Sequence, residues 1–213
     1  MSEEELMLSQ LFDHEKFTDK QKKIIIAAIE TFSEKGYAAT STSEIAKKAG
    51  VAEGTIFRHY KTKKDLLMSI VTPLMTKMIA PFVVEDLNKV LDQQFERVED
   101  FLRAVIENRR DVIKRILPVV KIMLQEIPFH PELRQQFIEM IAKKIYNRVA
   151  YILKGYQDKG QLIDLPLETI ARLMITNILG YLGTQYILFP ELEWEDNLET
   201  ERLIQFIMHG LGK

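Results

Sequence analysis

The residues best suited to chemistry are three polar side chains on one face of a short helical segment. Helical spacing places Thr55, Arg58 and His59 outward and leaves Ile56 and Tyr60 to face inward. The guanidinium of Arg58 can donate to both O6 and N7 of a guanine, a contact worth about 1–3 kcal/mol of discrimination between bases. Hydroxyl and imidazole groups can donate to phosphate oxygens. These side chains therefore indicate the reading of duplex DNA.

Two short helices joined by a tight turn would present this face. The first, Ser43–Ala49, has an apolar side and follows Thr and Ser residues that can cap its N-terminus. Gly50 ends it, because a residue without a Cβ turns the chain cheaply, and Val51 is expected to be the buried residue of the turn. The second helix covers about Glu53–Tyr60. This pattern predicts a helix-turn-helix whose second helix enters a major groove.

The charge distribution favours a polyanionic partner for this part of the chain. Between His14 and Asp65 there are 11 Lys and Arg residues against 7 Asp and Glu, whereas the rest of the chain has 18 against 24, for a net charge of −2. A basic segment on an acidic body is typical of a protein that touches a polyanion with one part only. Chance clustering of charge is the alternative interpretation.

Several features occur together and in register around the helix-turn-helix, and they carry a family resemblance. They are Gly36-Tyr37, the Thr-rich cap, Ala49-Gly50-Val51, Gly54-Thr55, Tyr60 and Lys63. Residues 17–67 thus resemble the N-terminal domain of the TetR family of bacterial transcriptional repressors. The chain departs from that family at Ala52, where Ser or Thr often caps the recognition helix. Losing this cap costs about 1 kcal/mol.

The resemblance implies which residues meet DNA. It places Thr40, His59, Tyr60 and Lys63 at positions that contact the DNA backbone. Glu53 either accepts from cytosine N4 or favours the helix N-terminus electrostatically, and we favour the second interpretation. The predicted DNA-binding set is Thr40, Ser41, Thr42, Glu53, Thr55, Arg58, His59, Tyr60 and Lys63.

The whole chain is expected to be all-α, with no strand alternation and no repeat. We expect an N-terminal extension and helix-turn-helix domain at residues 1–67, and a helical effector-binding and dimerisation domain at residues 68–213. Residues 1–13 read as an extra turn or helix. The other predicted helices are Thr18–Lys35 capped by Thr18, one opening at Lys63 after Thr62, Phe95–Asn108, Arg110–Glu126 kinked at Pro118, Pro131 to about Gly160, Pro166–Leu188 and Glu199–Leu211. Pro73 and Pro81 are expected to interrupt or kink the segment between them.

The last two long helices are predicted to form a homodimer interface. Residues 166–188 are apolar on more than one side, so more than one side must be covered. Gly180 and Gly183 allow close helix approach. The resemblance implies that the two helices pair with those of a second copy. A fully buried helix of a monomer is the alternative.

The resemblance also implies a small-molecule effector that binds in the helical body and lowers the affinity for DNA. A coupling of about 1–3 kcal/mol changes an affinity roughly 5–150-fold, which is enough for a switch. The chain has 9 Met and 11 Phe residues, which favour an adaptable apolar cavity. Residues that line such a cavity, or that belong to the ordinary core, are Phe101, Met123, Phe137, Ile141, Tyr146, Met174, Asn177, Tyr181 and Gln185.

Composition and motifs argue against other classes. There is no Cys, which fits a cytoplasmic protein without disulfides. The acidic N-terminus argues against export, and no apolar run is long enough to span a membrane. The four His residues are scattered, so we expect no metal and no cofactor, and no catalytic motif is present. We expect a repressor released by a small apolar molecule. A ligand-sequestering protein without specific DNA binding, or an activator, is the alternative.

Overall fold

The computed structural model describes residues 17–73 and 79–212, and within them the prediction of an all-α fold is confirmed. Ten α-helices lie in this described part: α1 Asp19–Ala39, α2 Thr42–Ala49, α3 Glu53–His59, α4 Lys63–Pro73, α5 Ala80–Leu91, α6 Val98–Glu126, α7 Pro131–Phe137, α8 Lys143–Asp158, α9 Leu167–Gly183 and α10 Asp196–Leu211. Ile138–Ala142 and Thr184–Leu188 are π-helical turns. The predicted turn or helix at residues 1–13 lies outside the described residues. None of the described helices is both long and apolar enough to cross a membrane.

The helices belong to two compact units. The first contains the chain up to Ala80 together with Arg115–Phe137, and the second contains Pro81–Lys114 and the chain from Ile138 onward. Both units are thus discontinuous in sequence, and α6 contributes residues to each. The predicted domain boundary between residues 67 and 68 stays a prediction.

The ends of α1 and α2 are set by local hydrogen bonds. Thr18 caps α1 as predicted, and its side chain forms a reciprocal capping box with Gln21. Gly36 adopts a positive φ of 78° inside the bounds of α1, a conformation that a residue without a Cβ adopts cheaply, and it breaks the last turn from the rest. Ser41 and Glu44 form a second capping box at the start of α2.

The helix-turn-helix follows the sequence pattern closely. Gly50 ends α2 in the left-handed conformation (φ 67°, ψ 34°). Ala52 precedes α3 without a side-chain cap, in line with the departure noted above. Ile56 and Tyr60 are buried as predicted. Val51 is only half-buried, because the turn leaves one side of it open.

The predicted break between Asn108 and Arg110 is wrong, because α6 runs unbroken through these residues from Val98 to Glu126. The adjacent Arg109 and Arg110 fit within this helix. Arg109 donates from it to the backbone oxygen of Val83 at 3.2 Å. The irregularity predicted at Pro118 is present. It appears at Ile116 (φ −115°, ψ 20°), because proline removes a backbone donor and its ring crowds the preceding turn.

The second unit has one continuous apolar core. It is built mainly by α6, α8, α9 and α10, and its fully buried members include Val98, Ile106, Leu153, Ile170 and Leu182. The predicted helices at 131–160 and 166–188 are confirmed in extent, but each contains a π-helical turn that the sequence pattern did not indicate. The last helix begins at Asp196 rather than at Glu199, and its first turn therefore carries two acidic residues.

Candidate functional site

The outward face of α3 carries exposed polar side chains. Arg58 and His59 are exposed and Thr55 is half-buried, whereas Ile56 is buried on the opposite side. The backbone N–H of Tyr60 donates to the oxygen of Ile56 at 2.8 Å and closes the helix. Burial raises the pKa of the Tyr60 phenol above its usual value, so the hydroxyl stays neutral. The helix therefore has one anchored face and one free face.

A hydrogen bond between side chains joins α2 to α3. The hydroxyl of Thr42 donates to a carboxylate oxygen of Glu53 at 2.6 Å. Glu53 lies in the first turn of α3, where a negative charge also offsets the positive end of the helix dipole. Ser41 is occupied by the capping box, with its Oγ 3.2 Å from the backbone nitrogen of Glu44. These polar residues hold the start of α2 and the start of α3 in place.

Besides Tyr60, two further residues of the predicted DNA-binding set are turned inward. The side chain of Thr40 is buried, and its hydroxyl donates to the backbone oxygen of Gly36 at 2.8 Å. The ammonium of Lys63 donates to the oxygens of Tyr37 and Thr40 at 2.7 and 2.8 Å, and it lies 4.4 Å from the centre of the Tyr37 ring. Because the last turn of α1 has no basic residue of its own, this ammonium offsets the partial negative charge at the C-terminal end of α1.

The Tyr37 ring also meets residues that follow α6 in the first unit. The ring of His130 lies edge-on to it at 6.0 Å, and His130 Nε2 is 3.1 Å from a carboxylate oxygen of Glu126. Burial, together with the charges of Glu126 and Asp65, raises the pKa of Tyr37. Tyr37 is thus packed by side chains from three segments of the first unit. The sequence indicated Tyr37 only as part of the motif that carries the family resemblance.

Three cations on α3 or just after it have no ion-pair partner in the described part of the chain. Arg58, Lys61 and Lys64 have no ion-pair partner among the residues that the structure describes. Lys48 differs from them, because its ammonium lies 3.1 Å from Glu30 and 3.2 Å from Glu34. These three side chains therefore leave positive charge at α3 and just after it available to a polyanion.

The nine predicted effector residues are divided between the two units. Met123 and Phe137 belong to the first unit, and the other seven belong to the second. Phe101 and Met174 are members of the buried apolar core, and Tyr146 packs against that core with its hydroxyl buried. Ile141 is buried in the first π-helical turn. Asn177 is half-buried and donates to the backbone oxygen of Leu173 in its own helix at 2.8 Å.

Tyr181 and Gln185 lie in a buried polar group that we call the Arg110 cluster, defined as Arg110, Tyr181, Gln185, Asp196 and Thr200. Arg110 Nη2 donates to the Tyr181 hydroxyl at 3.3 Å, to the backbone oxygen of Asp196 at 2.9 Å and to the Thr200 hydroxyl. Gln185 Nε2 donates to Asp196 Oδ1 at 2.6 Å. α6, α9, the second π-helical turn and α10 thus meet at this cluster.

The charge of Asp196 is stabilised despite partial burial. Desolvation alone would raise its pKa, but the hydrogen bond from Gln185 and the charges of Arg110 and Lys114 outweigh it and hold the pKa below its usual value. Lys114 donates to Asp196 Oδ2 at 3.3 Å from the outer side. Sequence reasoning missed Arg110, Asp196 and Thr200. The available signal was Arg110 itself, a charged residue on the apolar stripe that Ile106 and Ile113 define.

The match to known families falls on the helix-turn-helix. Residues 24–70 match the family described as bacterial regulatory proteins of the TetR family. This segment therefore belongs to the TetR family of bacterial regulatory proteins. This match covers α2 and α3 entirely, together with parts of α1 and α4.

Two curated proteins that this chain is similar to are regulators. It is 27% identical over 208 residues to the uncharacterized HTH-type transcriptional regulator YerO of Bacillus subtilis, a match that covers 91% of this chain and 63% of YerO. It is 45% identical over 60 residues to the fatty acid metabolism regulator protein of the same organism, covering 28% of this chain and 31% of that protein. The chain therefore spans less than two thirds of the length of these relatives.

A solved structure has the same fold along nearly its whole length. The transcriptional regulator FadR of Bacillus subtilis, in complex with stearoyl-CoA, superimposes with a TM-score of 0.61 and 24% identity over 87% of this chain and 96% of that chain. The likeness shows that this chain shares the all-α fold of that structure.

Proposed function

We propose that the chain is a dimeric transcriptional repressor that reads a near-palindromic DNA operator through α3 and is released by a small, largely apolar effector. The observation that carries the proposal is the free face of α3. Arg58 and His59 are exposed on it, while Ile56 and Tyr60 anchor the helix from behind. A recognition helix needs this arrangement, because its outward side chains must reach base edges while its backbone is held rigidly.

In this proposal the DNA-binding residues have different tasks. Arg58 reads a base, and Thr55 and His59 contact a base edge or a phosphate. Ser41 and Thr42 offer hydroxyls at the start of α2, and the unpaired cations Lys61 and Lys64 add phosphate contacts to the predicted set. Thr40, Glu53, Tyr60 and Lys63 contribute mainly by holding the two helices, since each is engaged or buried within the first unit.

The proposed dimer uses apolar side chains that α9, α10 and the segment between them leave exposed. Such side chains on the described surface are Leu173, Leu179, Leu188, Phe189, Leu192, Leu198 and Phe206. A concentration of exposed apolar side chains in one region favours a protein interface. A two-fold dimer would place two copies of α3 about 34–36 Å apart, the spacing of successive major grooves on one side of the duplex.

The proposed effector binds in the second unit, where the continuous apolar core offers apolar contact. The FadR structure holds stearoyl-CoA, a ligand with a long apolar chain, and this supports an effector that is largely apolar. An effector lowers operator affinity only if it binds one conformation of the regulator better than the other.

A mobility-shift assay tests the DNA-binding part of this proposal. The purified protein is titrated onto the DNA upstream of its own gene and onto random DNA of equal length, over a range of salt concentrations. We expect retardation of the upstream DNA by a dimer at protein concentrations that leave random DNA free. Equal binding to both, or no binding at low salt, would reject the repressor and favour a ligand-sequestering protein.

Transcription in vitro from the retarded promoter separates a repressor from an activator. We expect fewer transcripts when the protein is added. An increase in transcripts would overturn the assignment as a repressor while leaving specific DNA binding intact.

A further inference from the structure

We propose that the Arg110 cluster binds the neutral polar end of the effector, a hydroxyl or a primary amide, and discriminates against charged ends. This inference rests on the proposed function, because it assigns a chemical class to the effector of the second unit. It starts from two polar atoms that the protein itself leaves unsatisfied.

The two unsatisfied atoms are Arg110 Nε and Gln185 Oε1. Arg110 is 5% exposed and Gln185 is 4% exposed, and among the described residues neither atom has a hydrogen-bond partner. Both side chains meet at the same oxygen, since Asp196 Oδ1 is 2.6 Å from Gln185 Nε2 and 3.6 Å from Arg110 Nε. The second distance is too long for a hydrogen bond. Buried polar atoms in proteins are almost always hydrogen-bonded, so these two require a partner from outside the chain, either a ligand group or a buried water.

The orientation of the Gln185 amide follows from its neighbour. Its nitrogen faces the Asp196 carboxylate at 2.6 Å, and the reverse orientation would place two acceptor oxygens against each other. The unsatisfied atom of Gln185 is therefore an acceptor, while that of Arg110 is a donor. A partner for both must donate and accept at once.

The backbone conformation at Gln185 is a second, independent observation that points to a ligand. Gln185 lies in the π-helical turn Thr184–Leu188 that continues α9. The extra residue in such a turn re-aims side chains relative to a regular α-helix, and π-helical turns occur frequently at functional sites. Here the turn carries the amide of Gln185 into the interior, where the rest of the cluster lies.

Charge complementarity decides the class of ligand. A carboxylate only accepts, and it would face both Gln185 Oε1 and the Asp196 carboxylate. An ammonium only donates, and it would face the guanidinium of Arg110. A hydroxyl or a primary amide satisfies both free atoms without adding a charge. In the buried part of the cluster the charge of Arg110 is matched by that of Asp196, whereas Lys114 approaches Asp196 from the exposed side.

The remainder of the ligand would meet apolar surface. Tyr181 contributes its hydroxyl to the cluster while its ring packs against the apolar core. Met174 and Ile178, on the preceding turns of α9, belong to the same core. In the described conformation both free atoms are closed off from solvent, so the surrounding side chains must separate when a ligand enters. Binding of this kind favours one conformation over another.

The experiment compares polar ends on one apolar chain. Isothermal titration calorimetry on the full-length protein, without DNA, uses 1-dodecanol, dodecanamide, dodecanoate, dodecylammonium and dodecanoyl-CoA, each below its micellar concentration. We expect the alcohol and the amide to bind at least about tenfold more tightly than the others, because an acceptor or donor left unpaired in a buried site weakens binding by this order. Tighter binding of the acid, the amine or the thioester, or no binding of any ligand, would overturn the proposal.

A matched pair of variants assigns the preference to the cluster. Gln185→Leu removes the amide at similar size, and we expect it to abolish the preference for neutral ends. Gln93→Leu makes the same change at an exposed glutamine whose amide donates to the backbone oxygen of Lys89, and we expect it to retain the preference. An unchanged preference in Gln185→Leu would contradict the assignment. If that variant does not fold, as judged by circular dichroism, the comparison of ligands on the unmodified protein still decides.

Because no DNA is present in these titrations, the two proposals fail separately. A protein that prefers neutral ends but ignores its upstream DNA would reject only the repressor. A protein that retards that DNA but shows no preference among polar ends would reject only the role of the Arg110 cluster.

Discussion

Two arginines of this chain have opposite surroundings, and the contrast separates the proposed DNA-binding face from the proposed effector site. Arg58 in α3 is exposed and has no ion-pair partner among the described residues. Arg110 in α6 is buried among Tyr181, Asp196 and Thr200. The first can exchange solvent for DNA at small cost to the fold. The second holds several helices of the second unit together before it meets any ligand.

The different surroundings of the two arginines determine which substitutions each region tolerates. A side chain that no other residue needs is free to specify a base, so sequence preference can alter while the fold stays the same. A buried charge constrains its neighbours, because removing it leaves their polar groups without a partner. The DNA-binding region is therefore open to single substitutions, whereas the polar site of the second unit is expected to change only in groups of residues.

The largest expected effect is on stability, from the buried arginine. Arg110→Met should lower the free energy of unfolding by about 3–5 kcal/mol, because it removes the guanidinium that donates to the Asp196 backbone oxygen and to the hydroxyls of Tyr181 and Thr200. Arg58→Met is the matched control and should change it by less than about 0.5 kcal/mol. Urea denaturation followed by circular dichroism measures both. Similar losses of unfolding free energy in the two variants would show that the buried arginine stabilises the fold no more than the exposed one.

The next effect concerns Lys63, a cation of the DNA-binding region that faces inward. Lys63→Met should cost about 1.5–3 kcal/mol of stability, because charge-assisted hydrogen bonds to the end of α1 are lost. Its exposed neighbour supplies the control, since Lys64→Met removes the same charge without these contacts. A destabilisation that is no greater in Lys63→Met would show that the contacts to α1 contribute nothing.

The salt dependence of DNA binding then tests the phosphate contact that the sequence predicted for Lys63. A lost phosphate contact lowers the slope of log K against log salt by about 0.9. We expect this change for Lys64→Met. An unchanged slope for Lys63→Met would show that this lysine makes no phosphate contact and only stabilises the end of α1.

Arg58→Ala tests base reading at the free face of α3. It should reduce discrimination between operator and random DNA by about 1–3 kcal/mol, while Lys61→Ala should weaken both complexes equally. Competition mobility-shift titrations measure the ratio of the two affinities. Equal losses on operator and random DNA for Arg58→Ala would assign this side chain to the phosphates.

The smallest effect concerns the two helix starts. Ala52→Ser should stabilise the protein by about 1 kcal/mol, because Ala52 has the extended conformation of a cap residue (φ −71°, ψ 143°) but no side-chain hydrogen bond. Ser41→Ala should destabilise it by about the same amount, since it breaks an existing capping box. Thermal unfolding measures both changes. Shifts of the same sign would contradict the account of these caps.

Much of the helix-turn-helix could be predicted, because its signals are local. The caps at Thr18 and Ser41 and the left-handed turn at Gly50 depend on residues within a few positions of one another. Continuity of α6 could not be predicted, since Asn108–Arg110 interrupts the apolar pattern although it does not interrupt the helix. The π-helical turns also had no signal in a pattern read at one helical period.

By itself, the sequence determined the all-α class, the bounds of α2 and α3 and the outward direction of Arg58, because helix periodicity and capping act over three or four residues. Only the tertiary structure decided that Lys63 bonds to the end of α1 and that Arg110 joins Gln185 and Asp196. Those partners are far apart in sequence, and a lysine or an arginine has the same chemical formula whether it faces water or a carbonyl oxygen. Its role depends on which groups folding brings next to it.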